Sequence, residues 1–306
     1  MSKLKTTLLI AVVVLLGLFI STQAMATGPC TVPGSHTTIQ AAVANTACDP
    51  INVTAGTYNE NIVINRALTL MGAGSASTFI NGVNTGPNVA VVNITAAGNV
   101  TLSGFTITNA PTTNDGDLRF GVLTNSSSSG VTYAIVGNKV VGTNDPDNYE
   151  DYGIYGQNGG KENLLIANNV VTQTGSNNIV VETHQGKTDI SYNTLDAGCY
   201  GVDPIFVMTH SGNDVSNLQN VHHNTIDMGT GVAVGSANAT GITFAAVASY
   251  YGVSPARFLA NSIEITNNSM FNLKEKTSTR IVIDRLDANV ALADHHFSSL
   301  QLSLRR

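Results

Sequence analysis

The sequence predicts a single right-handed parallel β-helix, an all-β solenoid, and three observations carry that prediction. A short motif of aliphatic, two variable residues, Asn, one variable residue and aliphatic recurs five times. A Gly-aliphatic dipeptide keeps the same beat between the copies. Segments of about four to six residues rich in Val, Ile and Thr follow one another, with no helical period after the first fifty residues.

The Asn motif occupies Ile135 to Val140, Leu165 to Val170, Ile190 to Leu195, Val221 to Ile226 and Ile265 to Met270. Its Asn residues are Asn138, Asn168, Asn193, Asn224 and Asn268, separated by 30, 25, 31 and 44 residues. A spacing near thirty marks a solenoid in which each turn is one structural unit. Asn suits a turn, because it tolerates the left-handed backbone region and its amide can bond to the same amide one coil above and below. Gly121-Val122, Gly153-Ile154, Gly201-Val202 and Gly231-Val232 form the second series, with Asn178-Ile179 filling its gap. Each coil therefore holds at least two strands joined by turns.

The ends of a solenoid need capping, since an open coil exposes strand edges. Between Cys30 and Cys48, Ile39, Ala42 and Val43 fall at i, i+3 and i+4, which predicts a short helix closing the N-terminal end. A Cys30–Cys48 disulfide is expected to hold it, worth roughly 3 kcal/mol for a loop of that size. Cys199 is left over and reads as a buried core thiol. From Lys274 the Asn pattern fades and charge rises, with one last strand from Arg280 to Ile283. The β-helix is accordingly placed at residues 27–289, with residues 290–306 as a C-terminal tail or cap.

Residues 1–26 read as a secretory signal: Lys3 and Lys5, an apolar run from Leu8 to Ile20, and a small-x-small site at Ala24-Met25-Ala26. The run is shorter than the ~20 residues that span a bilayer, so the mature protein is expected to be secreted or held in the cell envelope, without stable membrane insertion. Cleavage would leave 12 basic and 20 acidic residues. That balance argues against nucleic acid as a partner, because phosphate recognition needs clustered Lys and Arg.

The segment TIQAAVANTACDPINVTAGTYNENIVINRALTLMGAG, residues 38–74, resembles the opening coils of pectin methylesterases and other pectin-lyase-like proteins. The resemblance covers roughly an eighth of the chain. It implies the β-helix fold, which lyases, esterases, adhesins and binding proteins share. The esterase's acid-bearing Asp-Phe-x-Phe-Gly segment and its Leu-Gly-Arg segment have no counterpart here. Pectate-lyase chemistry needs calcium-binding carboxylates beside a basic residue, and the whole chain holds seven Arg. Tyr200-Gly201-Val202-Asp203-Pro204 is similar to the Tyr-Gly-x-Asp-Pro-His segment of mannuronan epimerases, which implies roles for the tyrosine and the acid; Ile205 stands where that family has histidine.

Among the remaining polar residues, Val181 to Gly186 (VETHQG) repeats as Val207 to Gly212 (VMTHSG). On successive coils, period-2 alternation would put Glu182, His184, Met208 and His210 on one face and stack the two histidines about 4.8 Å apart. Two readings follow: an inert ladder, or a site in which His184 and His210 move protons with Glu182 and Asp203 supplying charge and Tyr200 close by. A carboxylate beside His184 would raise its titration. Lys161 and Lys187 each follow a Gly and would line the same flank, as substrate-binding groups or as solvated turn lysines. Asp145, Asp147, Glu150 and Asp151 form a dense acidic cluster whose hard oxygens suit calcium, or a solvated turn.

Two functions are consistent with these residues. The first is an exported surface or envelope protein that binds carbohydrate or another surface protein without complete catalytic machinery. The alternative is a polysaccharide lyase, epimerase or hydrolase acting on a cell-wall or extracellular glycan.

Overall fold

In a computed structural model the chain forms a right-handed parallel β-helix. The structure describes residues 28–112, 117–143, 150–157, 159–182, 184–196, 203–209, 214–227, 241–246, 262–271, 281–284, 291–293, 296–297 and 302–305. The expected signal, residues 1–26, and Cys199 lie outside them. Among the described residues, no helix is long and apolar enough to cross a membrane.

Each coil contributes one strand to each of three parallel sheets, which hold ten, nine and nine strands among the described residues. One coil shows the path. Asn163–Ala167 lies in the first sheet, a two-residue corner leads to Val170–Thr172 in the second, and a longer turn leads to Ile179–Glu182 in the third. A further turn returns the chain to Thr188–Ser191 in the first sheet, beside its starting strand. Inward side chains such as Ile135, Ile166, Ile190, Val221 and Ile265 stack in register through the first sheet and are fully buried. This aliphatic column is the core, and its burial drives the stacking.

The corner between the first and second sheets carries the Asn ladder, with one change from the predicted register. The buried members are Asn138, Asn169, Asn193, Asn224 and Asn268. Asn168 is the exposed residue before the ladder, at φ 56°. The doublet Asn168-Asn169 fits the motif in either register, and burial selects the second. Left-handed backbone also belongs to the preceding residue, not to the ladder Asn: Gly137, Asn168, Tyr192, His223 and Asn267 all have φ between 53° and 65°. Each Asn side-chain oxygen accepts from a backbone N–H one coil earlier, that of Phe105 for Asn138 and of the preceding ladder Asn for the other four, and each amide nitrogen donates to a carbonyl of that earlier coil, such as Ile166 for Asn193 at 2.8 Å. The buried amides are thus paired, as burial requires.

Gly201-Val202 and Gly231-Val232 lie outside the described residues, and the other two members of the Gly-aliphatic series mark a bend inside the third sheet. In Asn88–Ile94, Leu118–Thr124 and Asp151–Gly156 two consecutive residues point inward: Val91-Val92, Gly121-Val122 and Gly153-Ile154. A Cβ on Gly153 would lie 2.4 Å from both the Asn178 carbonyl oxygen and Val171 Cγ1, so the bend is packed too tightly for a side chain. The neighbouring strand start is held by a buried ion pair, Arg119 to Asp117 at 2.8 Å, with Arg119 also donating to the carbonyls of Gly86 and Pro87.

The helix Ile39–Ala44 packs against strands Gly28–Val32, Cys48–Val53 and Ile62–Ile64 and buries Ile39, Ala42 and Val43, the predicted face. Thr38 caps it, and the Glu60 carboxylate accepts from the Ile39 and Gln40 N–H groups at 2.9 and 2.8 Å. Arg66 donates to the carbonyls of Val43, Asn45 and Cys48 at its other end. The Cys30–Cys48 disulfide joins the first two strands of the first sheet. At the C-terminus the stack runs past residue 289: Ala291–Ala293, His296–Phe297 and Leu302–Arg305 each extend one of the three sheets.

Candidate functional site

The bend in the third sheet determines which side chains leave it. On either side of an inward pair, one residue points outward, so Phe120 and Leu123 flank Gly121-Val122, and Tyr152 and Tyr155 flank Gly153-Ile154. Parallel register then aligns these positions from coil to coil. Phe120 pairs with Tyr152, and Leu123, Tyr155, Val180 and Phe206 form one row. Phe120 and Tyr152 stack at 5.5 Å, and Tyr155 meets both edge-on at 5.2 and 5.1 Å. Val180 lies in the outward row and is nevertheless buried, covered between its aromatic neighbours.

This platform is the floor of an open cleft of about 660 Å³. Its lining adds two carboxylates, Glu150 and Glu182, with Gln157 and Met208, and among the described residues it contains no lysine or arginine. Both carboxylates are oriented by phenols: Tyr152 donates to Glu150 at 2.6 Å and Tyr155 to Glu182 at 2.7 Å. Gln157 accepts from Asn125 of the preceding coil at 3.0 Å. The result is an apolar surface edged with fixed acceptors.

The predicted site residues disperse around this cleft. Val181 pairs with Val207 and Glu182 with Met208, the alignment that the VETHQG and VMTHSG repeat implies. Glu182 reaches the cleft, but His184 does not accompany it. The strand ends at Glu182, and in the turn back to the first sheet the His184 ring enters the interior, 1% exposed, with Nε2 2.6 Å from the Glu162 carbonyl oxygen. Its carboxylate neighbour is Glu162, not Glu182, and burial outweighs that neighbour, so His184 titrates below its ordinary value rather than above it. His210 and Tyr200 lie outside the described residues. The Asp203 carbonyl accepts from Asn177 at 2.6 Å, at a turn that does not line the cleft. Lys161 and Lys187 are exposed, and Lys187 borders a separate hollow of about 290 Å³ over the first sheet, away from Glu182.

Within the acidic cluster, Asp145 and Asp147 lie outside the described residues, and Glu150 and Asp151 face opposite ways. Glu150 lines the cleft. Asp151 is fully buried, where it accepts from the Thr143 N–H and hydroxyl, the Gly175 N–H and the Asn109 amide. Those donors occupy the oxygens a calcium ion would need, so Asp151 serves as an internal brace; burial raises its titration despite them. Among the described residues, one group of three potential metal ligands converges, Cys30, His36 and Cys48, but its two sulfurs are joined in the disulfide.

The aromatic platform itself was not anticipated from the sequence. Its signal is present: Phe120-Gly-Val-Leu123 and Tyr152-Gly-Ile-Tyr155 flank the Gly-aliphatic dipeptide on both sides. Strict alternation would put one residue of each flanking pair inside, and recognising them requires knowing that the dipeptide is a bend.

Among solved structures, the chain is similar to a pectin methylesterase in complex with hexasaccharide VII, at 14% identity, covering 87% of this chain and 73% of that one with a TM-score of 0.42. It is also similar to an alginate lyase from Paenibacillus sp. str. FPU-7, at 12% identity, 87% and 94% coverage and a TM-score of 0.43. A third is the catalytic domain of a GH87 alpha-1,3-glucanase in complex with tetrasaccharides, at 16% identity, 89% and 58% coverage and a TM-score of 0.40. No protein-family model and no curated protein matches the chain.

Proposed function

We propose that this protein binds an extended, neutral or weakly acidic glycan along the cleft of the third sheet, outside the cytoplasm. The observation that carries the reading is the platform of Phe120, Tyr152 and Tyr155, with Phe206 further along the same cleft and a phenol-oriented carboxylate at two points on its edge. The apolar faces of sugar rings stack on such platforms, while their hydroxyls donate to fixed carboxylate oxygens. Because Tyr152 and Tyr155 already hold those oxygens, little ordering cost remains at binding. Among the described residues the charged groups of the lining are the carboxylates Glu150 and Glu182, which repel a strongly anionic chain.

Two carboxylates in one cleft also suit general acid–base chemistry on a glycan, which favours a second reading as a polysaccharide-active enzyme. In that reading Glu182 and Glu150 are the candidate acid and base, and His184 is structural. One experiment addresses both. Purified protein is screened against a polysaccharide panel with and without calcium, measuring binding and released products. Binding without products, lost in a Tyr152→Ala, Phe206→Ala double variant, supports the binding role. Products lost in Glu182→Gln support the enzyme. Binding unchanged in the double variant overturns the assignment of the cleft.

A further inference from the structure

At the corner between the first and second sheets, four coils use Gly104, Gly137, Asn168 and Asn267 at the left-handed position, residues that adopt positive φ at little cost. Two coils between them depart from this choice. Tyr192 and His223 occupy the same position at φ 56° and 55° and project bulky rings outward. Their rings stack at 4.8 Å with an interplanar angle of 16°. Bulky side chains held at positive φ store strain, and such strain concentrates at functional sites.

Beside this stack, His222 completes a constellation. Its Nδ1 lies 2.8 Å from Nδ1 of His223, with the two rings at 85°. Its Nε2 lies 3.3 and 3.4 Å from the two oxygens of Asp189, one coil earlier. With the His222 proton on Nε2 toward the carboxylate, the Nδ1 lone pair of His222 accepts from Nδ1–H of His223. A carboxylate behind a ligating imidazole is the usual outer support of a metal-binding histidine.

The geometry points to a surface site for a divalent transition metal, copper(II) before zinc, held by Nδ1 of His222 and Nδ1 of His223, with Asp189 orienting the first ring. The order of affinities among divalent first-row ions, in which copper exceeds nickel and zinc, favours copper at such a pair of imidazoles. Binding replaces the proton between the two nitrogens: His223 changes tautomer, its proton moving to Nε2, the exposed ring turns on its Tyr192 platform so that both Nδ1 lone pairs meet one ion, and water fills the remaining positions. The site lies on a corner between the first and second sheets, so it is independent of the glycan cleft on the third.

The test is titration of the purified protein at neutral pH with copper(II), nickel(II) and zinc(II), read by calorimetry and, for copper, by electron paramagnetic resonance. The expected result is an axial copper signal with coupling to two nitrogens, and affinities in the order copper, nickel, zinc. One equivalent of copper is lost in His222→Ala and in His223→Asn. His223→Asn is the safer variant, because asparagine accepts positive φ, and its thermal unfolding in chelator establishes that it folds. Asp189→Asn keeps the stoichiometry and weakens copper binding about 10- to 100-fold. A copper stoichiometry and spectrum unchanged in His223→Asn, or zinc bound as tightly as copper, would overturn the assignment.

Discussion

Asn193 and Asn224, one coil apart, are joined twice: the Asn193 side-chain amide donates to the Asn224 side-chain oxygen at 2.9 Å, and the Asn193 backbone N–H donates to the same oxygen at 3.0 Å. Asn193 in turn accepts both N–H groups of Asn169 and donates to the Ile166 carbonyl. Asn193→Ala leaves two buried donors of Asn169 and one carbonyl unpaired. The expected loss is about 3–5 kcal/mol in denaturant unfolding. A loss below about 1 kcal/mol would mean that the ladder is not an energetic element.

Gly153→Ala places a methyl group against the Asn178 carbonyl and Val171, inside the bend that exposes the two tyrosines. We expect a destabilisation of at least about 2 kcal/mol, with weaker glycan binding because the platform shifts. Gly28→Ala, where a Cβ meets nothing within 4 Å, is the control and should change stability by less than about 0.5 kcal/mol.

A half-buried carboxyl and a buried imidazole give opposite dependences on pH. Burial, with some repulsion from Asp227 in register one coil on, pushes Asp196 up to about 6 from 3.8. The folded state holds this proton more tightly than the unfolded state, so the contribution of Asp196 is complete below pH 3.8 and is lost as pH rises through about 6. Asp196→Asn should therefore stabilise the protein by about 1 kcal/mol above neutrality, after allowing for solvent screening, and by nothing near pH 4. His184, lowered from 6.5 by burial, works the other way: its contribution is present above 6.5 and falls away as the pH drops through its folded value. Thermal unfolding across the acidic range for wild type, Asp196→Asn and His184→Phe separates the two, and identical profiles for all three would contradict both assignments.

Tyr155 serves the cleft with both its ring and its hydroxyl. Tyr155→Phe keeps the stacking on Phe120 and Tyr152 and removes the hydrogen bond to Glu182, so glycan affinity should fall several-fold with stability nearly unchanged. Tyr155→Ala removes the platform as well and should cost a further tenfold or more, about 1.4 kcal/mol or above. Calorimetric titration with a ligand found in the polysaccharide screen measures both, and equal affinities for the two variants would show that the ring takes no part in binding.

The coil was legible because its physics is local and repeated. Inward aliphatics recur at each turn, and the corner Asn must satisfy buried backbone groups, so both leave a spacing that survives in one sequence. The same spacing could not choose between Asn168 and Asn169, since adjacent identical residues fit the motif equally and burial alone distinguishes them. The 26-residue repeat placing Val181 beside Val207 and Glu182 beside Met208 was readable for the same reason.

The cleft was not legible from the residues alone. His184 and Glu182 look like partners by alternation, but alternation ends where the strand ends, and the turn carries His184 inside against Glu162. Glu150 and Asp151 look like one acidic cluster, but a single residue of offset sends one carboxylate to the cleft and the other into a shell of N–H and O–H donors. Phe120, Tyr152 and Tyr155 meet because parallel register aligns two coils and a glycine bend turns their side chains outward, and Phe206 joins the same cleft two coils further on. Periodicity along a chain specifies which residues face the core, because every coil must bury them. Which outward residues converge depends on where each strand bends and stops, and that is fixed by packing between coils distant in sequence.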